Sequence, residues 1–235
     1  MREHLPLQRL AAETGFRWRG GEITRLEGFS DAVFAFAVTL LVVSLEVPKT
    51  FAELMEAMHG FVAFGFCFAL LANLWYHHYR FFRRYGMQDF WSICLNCVLL
   101  FFVVFFVYPL KFLSVALFNG SPMTGAEARI LFIVYGSGFA AVFLVLALLY
   151  LHAWRHREEL ALDAIESLKT RHDLANQLAM AAIGLISVGL ALALPENLVG
   201  LAGYFYFIIS IYFWVSGRIF RKKAHLLEAT LNPEP

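Results

Sequence analysis

The chain has 235 residues, of which 60% are hydrophobic and only 16% are charged, and its formal net charge is +1. So high an apolar fraction argues against an ordinary soluble domain and favours an integral membrane protein. A net charge this close to zero gives no support for a nucleic-acid partner.

The chain begins with a polar arm, residues 1–24, that carries Arg2, Arg9, Arg17 and Arg19 with acidic residues between them. The arm has neither the compact apolar core nor the small-residue cleavage site of a signal peptide. We therefore expect a cytoplasmic N-terminal arm that leads into the first helix.

Six apolar segments after the arm are long enough to cross a bilayer, which takes about 20 helical residues. They predict an all-α membrane protein with six transmembrane helices per subunit within residues 25–218, followed by a cytoplasmic C-terminal tail, 219–235. The predicted spans are residues 26–46, 56–79, 90–118, 128–151, 174–194 and 197–217.

Lysine and arginine are distributed unevenly between the two sides of this topology. Sixteen of the 19 lie in the arm, in the second-to-third and fourth-to-fifth connections and in the tail, whereas Lys49, Lys111 and Arg129 lie on the other side. Cytoplasmic loops of membrane proteins carry the excess of positive charge. The sequence therefore predicts a multi-pass protein of the cell (plasma) membrane with both termini in the cytoplasm.

The fourth-to-fifth connection alternates charged and apolar residues at helical spacing. We expect it to prolong the fourth helix as a cytoplasmic extension over about residues 152–173. His152 and His156 lie four residues apart on this extension, a spacing that metal ligands use. No third ligand accompanies them in the sequence, so a solvated helix face is favoured over a metal or proton-sensing site.

The sequence contains no Gly-rich phosphate loop, nucleophile elbow or HExxH motif, so we expect neither an enzyme nor a resident metal or cofactor. Cys67, Cys94 and Cys97 all lie in apolar segments, which argues against a disulfide framework. The string nearest to a potassium-filter sequence contains Gly136, which pairs with Ala140 at a spacing typical of close helix packing. A carbonyl selectivity filter is therefore not predicted.

Polar side chains inside the predicted spans are few, and most lie toward the cytoplasmic ends of the first three helices. Buried polar groups need hydrogen-bond partners, and these can supply one another: Asp31 accepts, Arg25 donates, and His78, Trp75 and Asn96 can bridge. They include Arg25, Ser30 and Asp31 in the first helix, Trp75, His77 and His78 in the second, and Asn96 in the third. Such a network can fix helix packing, support gating, or do both.

The first helix also carries an apolar stripe, in which Phe36, Leu40 and Val43 follow the i, i+4, i+7 pattern with Thr39 beside them. Such a stripe usually packs against neighbouring helices, and a Thr in a membrane helix usually bonds the carbonyl one turn earlier. If several copies of this helix surround an axis, the stripe instead forms stacked apolar rings that gate by excluding water. Periodicity leaves both interpretations open.

The string Arg25-xxx-Phe29-Ser30-Asp31, followed by the apolar run 35–41 that ends in Thr-Leu-Leu, resembles the signature of the transmembrane protein 175 potassium channel family. The resemblance covers essentially residues 20–218. Supporting marks further along the chain are Trp75-x-x-His78, Phe82, Asn96 and Pro109.

This resemblance implies a homotetramer of single six-helix repeats whose pore is lined by the first helix. It implies a channel permeable to potassium and other monovalent cations, set in membrane lipid, with a hydrophobic constriction at Phe36, Leu40 and Val43. Thr39 takes the place of the family's hydroxyl ring, which is tied to potassium preference. Potassium is the permeant ligand, and no cofactor is implied.

The resemblance further implies that Arg25, Phe29, Ser30 and Asp31, together with Trp75, His78 and Asn96, hold the cytoplasmic half of the pore together. The chain departs from the family pattern at two positions. Phe36 stands where the family usually has Ile or Leu, and Ala35 stands where some relatives have a polar residue. The phenyl rings either plug the axis or rotate away and leave Leu40 as the constriction.

Two other classes of function compete with a channel. A proton-coupled transporter or proton pathway would use Asp31, His77 and His78 as titrating groups, although no pair of spans has the broken-helix pattern of many transporters. A non-conducting membrane scaffold would show no ion flux at all. One subunit with a single pore-lining helix cannot enclose an axis, so a channel of this kind requires several copies.

Overall fold

The computed structural model describes residues 16–43, 49–119 and 123–231, and the regular structure in these residues is helical throughout. The predicted all-α class is therefore confirmed for this part of the chain. The helices are α1 (Arg25–Val43), α2 (Phe51–Tyr85), α3 (Phe90–Asn119), α4 (Gly125–Arg155), α5 (Ala164–Ala193), α6 (Leu201–Tyr204) and α7 (Ile208–Leu231). Short 3-10 turns, Glu196–Leu198 and Phe205–Phe207, precede and follow α6.

Five helical segments of the described residues are long and apolar enough to cross a membrane, and they correspond to the second to sixth predicted spans. They are Gly60–Tyr85, Phe90–Phe118, Gly125–Arg155, Ala164–Ala193 and Glu196–Leu227. The 19-residue α1 is not among these five. The first predicted span, 26–46, also runs into residues 44–48, which lie outside the described part.

The connection between α4 and α5 differs from its prediction. The helix α4 ends at Arg155, a turn follows in which Ala161 has a φ of 45°, and α5 begins at Ala164. Asp163 and Glu166 form a capping box at this start, each side chain accepting a hydrogen bond from the other's backbone N–H. The prediction that the helix runs on from α4 was therefore wrong, and residues up to 173 extend α5 instead.

The helices α4 and α5 pack closely because small residues face each other between them. A Cβ atom on Gly184 would lie 2.9 Å from the carbonyl oxygen of Gly136 and 3.0 Å from the backbone nitrogen of Ala140. The predicted packing role of Gly136 and Ala140 is thus confirmed. On the other side of the molecule, α1 packs against α2 and α3, so both neighbours can supply polar partners to it.

Candidate functional site

The start of α1 is capped by side chains of its own first turn. The backbone N–H of Glu27 donates to Thr24 Oγ1 at 3.1 Å, and the backbone N–H of Thr24 donates to Glu27 Oε2 at 2.9 Å. This reciprocal pair is a capping box, which satisfies two backbone donors that a helix start leaves free. The Thr-x-x-Glu spacing was present in the sequence, but the sequence interpretation did not use it.

A buried row of neutral polar side chains joins α1, α3 and α2. The Ser30 hydroxyl donates to the Leu26 carbonyl at 2.8 Å, and Asn96 Nδ2 donates to Ser30 Oγ at 2.9 Å. His78 Nε2 lies 2.8 Å from Asn96 Oδ1, and since an amide oxygen only accepts, His78 carries its proton on Nε2. Ser30 and Asn96 are fully buried and His78 is 2% exposed.

A second polar contact, between Asp31 and Trp75, lies on the surface of the single subunit. Trp75 Nε1 donates to Asp31 Oδ1 at 2.7 Å. The indole ring also stacks on Tyr79, with ring centroids 5.6 Å apart. Both Asp31 and Trp75 are exposed, so this contact is separate from the buried row.

Arg25 belongs to neither of these groups. It is exposed, and among the ion pairs of the described residues none joins it to Asp31. Six residues of helix turn the side chain by about 240°, so Arg25 and Asp31 point in widely different directions from α1. Among the described residues the predicted polar network therefore divides into two separate groups. His77 is half-buried and belongs to neither group.

One face of α1 is uncovered in the single subunit, while the opposite face is buried. Phe36 is 56% exposed and Thr39 is also exposed, whereas Ala37 and Leu41 on the other side are almost fully buried. The Thr39 hydroxyl donates to the Phe36 carbonyl at 2.7 Å, as Thr in a membrane helix usually does. Leu40 is half-buried at the border of the two faces.

The uncovered face continues toward the start of α1 through Ala35, Ala32, Asp31 and Phe29, all of which are exposed. The face therefore combines a carboxyl group and a hydroxyl with small and aromatic side chains. Val43, the third predicted constriction residue, ends α1, but its side chain lies outside the described residues.

The far end of α1 is held by a lysine from α3. Lys111 Nζ donates to the Leu41 carbonyl at 2.8 Å. Carbonyls in the last turn of a helix lack intrahelical partners, and a cation there also interacts favourably with the helix dipole. The sequence interpretation counted Lys111 only as one of the few cations on the outer side.

The largest group of polar contacts that sequence reasoning missed involves the arm. Arg19 Nη2 lies 2.6 Å from Glu166 Oε2, and the Arg17 backbone N–H donates to Glu166 Oε1 at 2.7 Å. Arg84 and Asp173 form a second ion pair, at 2.6 Å, between α2 and α5. These contacts span 89 to 149 positions in the sequence, and no local pattern could have indicated them.

The histidine pair at the end of α4 has an acidic partner, Asp89, directly before α3. His152 Nε2 lies 2.8 Å from Asp89 Oδ2, and the His152 and His156 rings lie 4.6 Å apart. Burial raises the pKa of Asp89, but hydrogen bonds from Ser92 and His152 outweigh it and bring the pKa below its ordinary value. No cluster of three or more metal-ligating side chains is found among the described residues.

Known proteins resemble both the sequence and the structure of this chain. The family model described as "Endosomal/lysosomal potassium channel TMEM175" matches residues 25–107. A Marivirga tractuosa protein named "Potassium channel" is 37% identical over 230 residues, 90% of this chain and 93% of that protein. A Chamaesiphon minutus protein, also named a potassium channel, is 31% identical over 57% of this chain and 66% of its own length.

A solved structure agrees over nearly the whole chain. It is the crystal structure of a threonine-to-alanine variant of the potassium channel MtTMEM175 in complex with a nanobody–MBP fusion protein, and its TM-score to this chain is 0.77. The two sequences are 36% identical, and the match covers 88% of this chain and 97% of that one. Because a relative this similar is covered almost from end to end and the RxxxFSD helix lies inside the family match, the chain belongs to the TMEM175 family.

Proposed function

We propose that the protein is a potassium-permeable cation channel of the cell membrane, in which α1 of each subunit lines the pore of a homotetramer. The two relatives and the solved structure described above are called potassium channels. We assign the membrane domain to residues 25–218, with α1 as the first of six spans and both termini in the cytoplasm. The excess of cations on the arm side of the helices supports this orientation.

The uncovered face of α1 is the observation that carries this proposal. Asp31 and Thr39 lie on it together with Phe36, and an acidic group is costly to place against hydrocarbon. A pore axis shared by several copies gives this face an aqueous or protein environment. The exposed Arg25 and Phe29, which lack partners in the buried row, are then available for contacts between copies.

Phe36, Leu40 and Val43 form the hydrophobic constriction in this proposal, and it gates by excluding water. Thr39 provides an oxygen at the same level. The hydroxyl donates its proton to the Phe36 carbonyl in a hydrogen bond, so the lone pairs of the hydroxyl oxygen remain available to a partly dehydrated cation. Ser30, Asn96 and His78 hold the buried side of the helix in place, and Asp31 and Trp75 hold its flank.

The proposal is tested by measuring uptake of potassium, sodium and caesium into liposomes that contain the purified protein. We expect potassium flux above that of protein-free vesicles, a lower sodium flux, and a smaller difference between the two ions in Thr39→Ala. We also expect Phe36→Ala and Leu40→Ala to change flux, whereas Leu185→Ala, on an exposed apolar position of α5, serves as the matched control.

Two outcomes would replace the proposal. Saturable, pH-dependent flux that disappears in Asp31→Asn would indicate the proton-coupled transporter. A homogeneous oligomer that passes no cation, either as the natural protein or as Phe36→Ala, would indicate the non-conducting scaffold.

A further inference from the structure

Residues 16–21 of the arm lie against the end of α2. Phe16 is 1% exposed and its ring meets the Tyr85 ring edge-on, with centroids 5.5 Å apart. The backbone N–H of Arg19 donates to the Arg84 carbonyl at 3.3 Å. A carbonyl in the last turn of a helix has no intrahelical donor. The arm therefore completes the hydrogen bonding of α2 instead of extending into solvent.

Two glycines allow this close approach of backbone to backbone. A Cβ atom on Gly20 would lie 3.0 Å from the Phe82 carbonyl oxygen. Gly86, which follows α2, has a φ of 62°, and a Cβ there would lie 3.0 Å from the Arg19 carbonyl. At the first site the neighbouring backbone would have to shift to admit a side chain, and the second has a backbone conformation that favours glycine. The arm backbone at Arg19 and Gly20 therefore packs directly against the C-terminal end of α2.

Glu166, in the first turn of α5, anchors the arm from the other side. Its carboxylate is fully buried and accepts hydrogen bonds from the Arg17 backbone N–H, from two nitrogens of the Arg19 guanidinium and from the Asp163 backbone N–H. The Arg19 contacts are 2.6 and 3.2 Å long. A buried carboxylate is tolerated only when it is paired and hydrogen-bonded in this way.

The same region joins α2 directly to α5. Arg84 Nη1 donates to Asp173 Oδ2 at 2.6 Å, and the hydroxyls of Tyr85 and Thr170 lie 2.8 Å apart. The end of α2 and the start of α5 therefore form one cross-linked unit, on which the arm is fixed.

Only a short piece of chain separates this unit from α1. Arg83 Nη1 donates to the Gly21 carbonyl at 2.6 Å, and Thr24 already caps α1. The stretch from Gly21 to Thr24 is three residues long and reaches at most about 10 Å when fully extended. A displacement of the arm relative to α2 and α5 must therefore move the start of α1.

We propose that Arg19 and Glu166 are positioning residues for α1, whose ion pair fixes the start of that helix relative to the pore axis and so sets the ion flux. This inference rests on the proposed channel function. In this proposal both residues act through the backbone between Gly21 and Thr24, and neither touches the permeant ion. The potassium-to-sodium ratio, which we assign to Thr39, should then be independent of the pair.

The experiment uses the full chain and the variants Glu166→Gln, Arg19→Gln and their combination. Two quantities are measured on oligomers isolated by size-exclusion chromatography. One is potassium and sodium flux into liposomes. The other is the rate at which a thiol reagent modifies Ala35→Cys, on the uncovered face of α1, in a background with the three native cysteines replaced by serine.

We expect each single variant to change potassium flux by about fivefold, the lower range of coupling between separate sites, with the potassium-to-sodium ratio unchanged. The double variant should change flux by less than the product of the two single changes, because both single variants break the same Arg19–Glu166 pair. What remains additive comes from Arg17, which also pairs with Glu166, and from the Arg19 hydrogen bonds to the Leu160 and Ala161 carbonyls. The modification rate at position 35 should change in parallel. Arg157→Gln and Glu158→Gln, which break an exposed ion pair, are the matched controls and should change neither quantity.

Two other outcomes would each overturn one proposal, either the positioning role of Arg19 and Glu166 or the channel function. Folded oligomers of Glu166→Gln with unaltered flux and an unaltered modification rate would show that the ion pair only stabilises the fold. A natural protein without flux, whose modification rate still changes in Glu166→Gln, would overturn the channel function but keep the positioning of α1. If Glu166→Gln does not fold, Arg19→Lys, which keeps the charge but loses the paired guanidinium contact, takes its place with the same expectations.

Discussion

Two regions hold α1, and they use different chemistry. The row of Ser30, Asn96 and His78 lies among apolar side chains and contains only neutral hydrogen bonds. The group at the arm, by contrast, consists of ionised pairs, Arg19 with Glu166 and Arg84 with Asp173. Burying a charge costs far more than burying a neutral polar group, so the buried Glu166 and Arg84 each need the oppositely charged partner that they have.

The difference predicts how each region responds to the loss of one member. Glu166→Ala leaves the Arg19 guanidinium without its carboxylate, and loss of one partner of a buried ion pair costs about 3–5 kcal/mol. We expect this variant to show the largest loss of stability, measured as the midpoint of thermal or denaturant unfolding in detergent. Glu158→Ala, at an exposed ion pair, is the control, and an equal loss there would contradict the distinction.

Asn96→Ala tests the neutral row. Ser30 keeps its hydrogen bond to the Leu26 carbonyl, so the substitution leaves one buried donor, His78 Nε2–H, unsatisfied, which costs about 1–3 kcal/mol. The same unfolding measurement should therefore give a loss smaller than that of Glu166→Ala. Asn73→Ala, an exposed asparagine on α2, should change stability little. A loss at Asn96 as large as that at Glu166 would remove the contrast between the regions.

Trp75→Phe removes the indole N–H that Asp31 accepts and keeps most of the aromatic contact with Tyr79. Because both partners are exposed and water can replace the donor, we expect a loss of at most about 1 kcal/mol. In the proposed tetramer this contact lies beside the pore. Unfolding measured on the intact oligomer is therefore the appropriate readout, and a loss of several kcal/mol would place the bond in a dry interface between copies.

The smallest effect is expected from pH at Asp89. Its pKa is lower in the folded than in the unfolded protein, so the contribution to stability is present above the unfolded pKa of about 4 and is lost as the pH falls through the folded pKa. Asn is also a good helix cap, so Asp89→Asn removes mainly the charge. The stability difference between the two proteins should be constant near neutral pH and shrink in acid. A difference that grows in acid would contradict this assignment.

Much of the fold was predictable because apolar spans and their polar exceptions are visible in the sequence. Ser30, His78 and Asn96 could be grouped because polar side chains in such spans need one another. The separation of Arg25 from Asp31 was not predicted, because charge complementarity was considered without the angular spacing of the helix. That angular spacing follows from the residue numbers alone.

The arm contacts were not predictable in the same way. A charged arm is typical of a solvated segment, and nothing near Arg19 in the sequence indicates Glu166, 147 positions away. The start of α5, however, could have been found, because Asp163 and Glu166 have capping-box spacing. Helix ends can thus be predicted from local sequence patterns, whereas ion pairs between distant residues can be identified only once the fold is known.

Whether α1 lines the ion pathway is tested most directly by modifying a cysteine introduced on α1 and measuring whether potassium flux is blocked. Thr39→Cys is placed on the uncovered face of α1, and Leu185→Cys on an exposed apolar face of α5 serves as the control, both in a background without native cysteines. We expect a charged thiol reagent to abolish potassium flux through Thr39→Cys and to leave flux through Leu185→Cys unchanged. Complete modification of Thr39→Cys with undiminished flux would show that ions do not pass along α1.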